Sequence, residues 1–150
     1  MLSIELLKSR GVCLWAYARS QVTLESMVHE AERLIDRLEL IKQKGSFEVR
    51  SAREKVIQWD WEMRSQLGLL FRPARPVIEA FQEFPLAFKR AQGVREQIQG
   101  LSDGVAIRLE CLRLLLRHMD EFSLARLRIA KRRRTGAAQP IGRLSNERMS

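Results

Sequence analysis

Cysteine is scarce in this chain: two in 150 residues, 98 positions apart. That excludes a disulfide-stapled scaffold and a four-cysteine zinc site. With only four prolines and eight glycines the chain is neither collagen-like nor a low-complexity linker. Long apolar runs are also missing. The longest uncharged ones, Gly11 to Ala18 and Gln66 to Phe71, fall far short of the ~20 residues that cross a bilayer. A secretory leader is not legible either, because Glu5, Lys8 and Arg10 interrupt the apolar residues at the N-terminus. These absences predict a cytoplasmic protein with reduced thiols, or a nuclear one if the source is eukaryotic. No phosphate-binding glycine loop, nucleophile elbow or paired-histidine motif occurs. No cofactor, no metal and no catalytic residue is therefore expected, and the chain reads as a non-enzyme.

Hydrophobic residues make up 45% and charged residues 30%, the balance of a soluble globule. A domain of this length removes roughly 70% of its unfolded surface from water, enough for a core without staples. The formal charge is +9, and it is unevenly placed. Residues 126–150 carry eight Arg and Lys against one Glu, a net of +7, while residues 1–125 carry a net of only +2. Lys131, Arg132, Arg133 and Arg134 are consecutive, and Thr135 to Pro140 gives a helix no reason to continue. The expected organisation is one helical domain over residues 1–134 and a flexible, disordered basic tail over 135–150.

The periodicity is helical almost throughout, with no convincing alternation of period two. Residues 2–18 suggest a first helix weakened at Gly11. Leu24, Met27, Ala31, Leu34, Leu38 and Ile41 recur at spacings of three and four, an amphipathic stripe with Ser20 or Thr23 as its cap. Gly45 and Ser46 suit the end of that helix and the start of the next. The next runs over about Phe47 to Phe71 with Val49, Ala52, Val56, Trp59, Met63, Leu67 and Leu70 on one face. The short connection predicts that these two form an antiparallel hairpin. Pro73 and Pro76 mark a boundary, after which Val77, Phe81, Phe84 and Phe88 share a face interrupted by Pro85. Ser102 or Asp103 is the expected cap of a last long helix carrying Val105, Leu109, Leu112, Leu115, Leu116, Met119, Phe122 and Ile129. The fold class is all-α, a bundle of four to six helices.

Four features invite a functional reading. Arg126, Arg128, Lys131, Arg132, Arg133 and Arg134 can neutralise phosphates or another acidic partner. Equally, they suit a solvated helix C-terminus or an import signal. No aromatic residue is interleaved among them, so a base-stacking platform within the tail is not expected. Second, neighbours on a helix diverge by about 100°, so Trp59 and Trp61 cannot share a face. Trp59 belongs to the core stripe and Trp61 to the surface, where an aromatic suits a protein contact. Third, Asp60 and Glu62 would need a converging polar group to act as acid and base. Finally, Cys111 and His118 fall seven apart, but with only Cys13 and His29 to add they read as packing residues, not as zinc ligands.

The expectation is a non-enzymatic protein-interaction or assembly protein whose basic C-terminal segment meets an acidic partner. Leu24, Ala31, Leu38 and Trp61 are the expected protein interface, and the basic residues the polyanion contact. A homodimer through the hairpin would use that heptad-like stripe, and a monomeric bundle would use it internally. Two alternatives stand beside it: a sequence-tolerant nucleic-acid-binding accessory protein, and a subunit or chaperone of a larger machine such as an export apparatus or viral particle.

Overall fold

The structure, a computed structural model, describes residues 2–44, 49–82 and 93–123. Its elements are α1 (Ile4–Ser9), β1 (Cys13–Leu14), α2 (Tyr17–Lys44), α3 (Val49–Leu70), β2 (Phe71–Arg72), α4 (Arg75–Gln82), α5 (Val94–Arg117) and a 3₁₀ turn (Met119–Phe122). Among the described residues, five α-helices make a mostly helical fold, as the periodicity requires.

The N-terminal segment departs from a single helix over 2–18. Ser3 caps α1 by accepting from the Leu6 N–H at 3.2 Å, and Glu5 and Lys8 suit the two ends of the dipole. The helix ends at Ser9 because Gly11 takes a φ of 76°, a left-handed conformation that residues with a Cβ avoid. The chain then extends, and Cys13 and Leu14 pair antiparallel with Arg72 and Phe71. Two-residue strands are too short to leave a periodic trace in sequence.

α2 starts at Tyr17, so neither Ser20 nor Thr23 caps it. Ser20 lies buried inside the helix, and the Thr23 hydroxyl donates to the Arg19 carbonyl at 2.9 Å. The expected hairpin is also not the main contact. α2 packs chiefly along α5, and the sense is antiparallel: Tyr17 meets Asp120, Glu32 meets Arg113 and Lys42 meets Gln99. α5 begins earlier than expected, because Gly93 is its N-cap and the helix runs through Gly100, Ser102 and Asp103, and it ends at Arg117, so that Met119 and Phe122 fall in the 3₁₀ turn and not in the helix. Ile98 and Leu101, both fully buried, give that extra stretch its reason to dock. Each such side chain contributes roughly 1.5–3 kcal/mol by leaving water.

α3 buries Val49, Ala52, Val56, Trp59, Met63, Leu67 and Leu70, the full stripe expected. α4 carries Pro76 in its first turn, where no amide proton is needed, and docks on α3 through Val77 and Phe81. The approach is close at Gly68, where a Cβ would meet Ile78 Cδ1 at 3.3 Å. The 3₁₀ turn after α5 packs into the core. Met119 and Phe122 are buried, the Phe122 ring stands at 90° to that of Phe71 with centroids 5.7 Å apart, and Ser123 bridges Leu14 in parallel sense. Gly45, Ser46, Phe47, Phe84, Pro85, Phe88 and Ile129 lie outside the described residues.

Candidate interaction surfaces

Of the expected interface, Leu24, Ala31 and Leu38 are buried in the chain's own core. The stripe of α2 is used internally, so these three offer nothing to a partner. Trp61 is the exception at 64% exposed, with Trp59 buried beside it. The 100° step between neighbours explains the split. Ile57 and Leu69, at i−4 and i+8 from Trp61, are 42% and 74% exposed, so α3 carries a partly apolar outer face.

Beside that face, α2 and α3 diverge enough to leave a groove of about 360 Å³ lined by Glu30, Arg33, Leu34, Arg37, Lys55, Gln58, Trp59 and Glu62. A smaller hollow extends it past Leu38, Ile41 and Ala52. The register of an antiparallel pair sets Glu30 and Glu62 at one end and Arg37 and Lys55 at the other. Leu34 and the edge of Trp59 make an apolar floor between them. Arg33, Arg37 and Lys55 form no ion pair among the described residues. Sequence reasoning missed them because cations on a polar face look alike until the neighbouring helix is placed.

Asp60 is not half of an acid–base pair with Glu62. It is 6% exposed and turned inward, where Arg108 of α5, 2% exposed, donates through Nε to its Oδ1 at 2.7 Å. Arg64 donates to Oδ2 at 3.1 Å, and Arg108 also donates to the Gly104 carbonyl at 3.0 Å. Each carboxylate oxygen accepts from one guanidinium, which makes Asp60 a clamp between α3 and α5.

At the opposite end of α5, Lys8 of α1 donates to Glu121 Oε1 at 2.8 Å and His118 Nδ1 contacts Oε2. These two partners, Lys8 first, hold the Glu121 carboxyl down at about 2. The Tyr17 hydroxyl donates to Asp120 Oδ1 at 2.7 Å, which pushes the phenol up. Cys111 is fully buried and burial pushes its thiol up, while His118 is engaged by Glu121. Among the described residues no three His, Cys, Asp or Glu side chains converge as metal ligands. No helix among them is long and apolar enough to cross a membrane. Arg126, Arg128, Lys131, Arg132, Arg133 and Arg134 lie outside the described residues.

Comparison with protein-family models, with curated proteins and with solved structures finds no match to this chain. The functional reading therefore stands on the geometry above.

Proposed function

We propose that this chain is a non-enzymatic docking and assembly module that seats a helical segment of a protein partner on α2 and α3. The observation that carries the reading is the groove between Arg33, Arg37, Lys55 and Trp59, flanked by the exposed indole of Trp61. An amphipathic helix fits such a groove by laying apolar side chains on Leu34 and Trp59 and acidic ones against the three cations. The carboxylates of Glu30 and Glu62 at the other end favour a partner whose charge is similarly polarised, acidic toward Arg37 and Lys55. Trp61 is the anchor expected at the rim, since tryptophan and arginine dominate binding energy at interfaces. The basic sequence 126–134 adds attraction to an acidic partner and raises the encounter rate more than the affinity.

The test is affinity purification of the full chain from its native cell extract, with nuclease treatment, at two salt concentrations. The wild type recovers a defined protein that Trp61→Ala and Lys55→Glu both deplete. Equal recovery with either variant, or no protein above the control, removes the groove reading. Concentration-dependent self-association abolished by Trp61→Ala would instead identify the partner helix as a second copy of this chain.

A further inference from the structure

Glu30, Arg37, Lys55 and Glu62 all line the groove between α2 and α3. All four are exposed, and none forms an ion pair among the described residues. Because the two helices run antiparallel, Glu30 lies level with Glu62, and Arg37 with Lys55. Each helix thus carries one acid and one base seven residues apart, about two turns. A face charged in this way is complementary to itself. A two-fold axis running across the groove turns a second copy end for end, so that acidic end meets basic end while α2 stays over α2 and α3 over α3.

One axis satisfies both pairs. The point that exchanges Glu30 with Arg37 falls between Arg33 and Leu34, and the point that exchanges Lys55 with Glu62 falls between Gln58 and Trp59. Those four residues line the same stretch of the groove. Leu34 and Trp59 therefore lie at the axis, an apolar centre with the charge pairs around it, which is the usual anatomy of an interface. Arg33, beside the axis, has Glu30 of the other copy about one turn away. Farther out, the same operation sets Ser51 opposite Gln66 and Thr23 opposite Lys44, and no like charges are brought together there. The axis also falls within about one residue of the middle of α3 (Val49–Leu70), so the overlap covers nearly the whole helix. At ~1.5 Å per residue the 22 residues of α3 extend ~33 Å, and two helices ~10 Å apart present roughly 650 Å² per copy. The total of about 1,300 Å² lies at the low end of specific interfaces.

We propose that the chain forms a two-fold symmetric dimer through this groove, the α2 and α3 pairs of two copies stacking as four helices. Glu30 and Glu62 of each copy pair with Arg37 and Lys55 of the other. The inference rests on the groove being a docking surface and names its occupant, a second copy of this chain. The Trp61 indole stands at the rim, level with the 55–57 stretch of the other copy.

The experiment is sedimentation equilibrium of the full chain at low and moderate salt. The wild type passes from monomer to dimer with a dissociation constant on the order of 10 μM, as suits a small and partly polar interface, and salt weakens it. Lys55→Glu and Glu62→Lys each weaken the dimer more than about tenfold, because each sets like charges together at both ends. Mixed one to one, the two variants associate again, since the acid at position 55 of one faces the base at position 62 of the other. The double variant Lys55→Glu with Glu62→Lys dimerises within about threefold of the wild type. Arg37→Glu and Glu30→Lys behave as the second such set. All four positions are exposed, and circular dichroism establishes that each variant is folded. A wild type that stays monomeric at concentrations on the order of 100 μM, single variants that dimerise as the wild type does, or a mixture that fails to associate overturns the dimer. Capture from cell extract separates that failure from failure of the groove. A monomeric chain that recovers a different protein, lost with Lys55→Glu, overturns the second copy and leaves the groove as a docking surface. A monomeric chain that recovers nothing overturns both.

Discussion

Replacing Asp60 with asparagine preserves the shape of the side chain and removes its charge, so it isolates the electrostatic part of the clamp between α3 and α5. Arg108 is 2% exposed and its Nε lies 2.7 Å from Asp60 Oδ1. Without the carboxylate its guanidinium stays buried, donating to the Gly104 carbonyl at 3.0 Å but facing a neutral amide where a negative charge stood. The asparagine NH₂ would then face the Arg64 Nε, a donor against a donor where a bond of 3.1 Å now stands. Breaking a buried ion pair in this way costs about 3–5 kcal/mol. The exposed part of Arg64 lowers the share due to that bond, which puts Asp60→Asn at about 3 kcal/mol. Against a total of roughly 5–15 kcal/mol this is a large fraction. It corresponds to a fall of about 6–12 °C in melting temperature. The assay is urea and thermal unfolding by far-ultraviolet circular dichroism, extended to Arg108→Met and to the double variant with Asp60→Leu. Each single variant is strongly destabilised, while the apolar double variant returns to within about 1 kcal/mol of the wild type, because replacing both partners leaves no stranded charge. Single effects that merely add, to within about 0.5 kcal/mol, would refute the coupling.

Three further outcomes follow from the packing. Leu38→Ala destabilises by about 2–5 kcal/mol, because the side chain is 1% exposed in the core; a loss under about 0.5 kcal/mol would place it at a surface. Gly11→Ala costs about 1–2 kcal/mol through its left-handed φ alone, since open space surrounds the added methyl; Gly11→Asn costs less, and unfolding curves that do not separate the two would contradict this. The Glu121 carboxyl is lowered from 4.5 to about 2 in the fold, so its contribution is fully present above pH 4.5 and is lost as pH falls toward 2. Stability measured against pH therefore shows wild type above Glu121→Gln near neutrality, with the two curves converging in acid; a constant gap down to pH 2 refutes the assignment.

The periodicity of α3 was readable because one face of a single helix decides it: seven positions from Val49 to Leu70 follow the helical repeat and all seven are buried. Which helix packs on which was not readable in the same way. α2 carries a stripe broad enough to meet either α3 or α5, and short loops favour sequence neighbours only as a tendency. Two charged residues inside the stripes held the missing information. Val56, Asp60, Met63 and Leu67 step by four, three and four, and Leu101, Val105, Arg108 and Leu112 do the same, each stripe interrupted once by a charge of opposite sign. A lone acid on one core stripe and a lone base on another are costly unless they meet. That pairing is a legible reason to set α3 against α5.

The surfaces were harder to read because they are made by residues far apart in sequence. Trp61 could be assigned to the outside from its angle to Trp59, within one helix. Trp15 could not, since its neighbours from Gly11 to Ala18 are uncharged and the run looks like core. What exposes it is the end of α1 at Gly11: extended backbone turns successive side chains to opposite faces, sending Leu14 inward and Trp15 outward. Pairing with Phe71 and Arg72 then brings a cation to the indole.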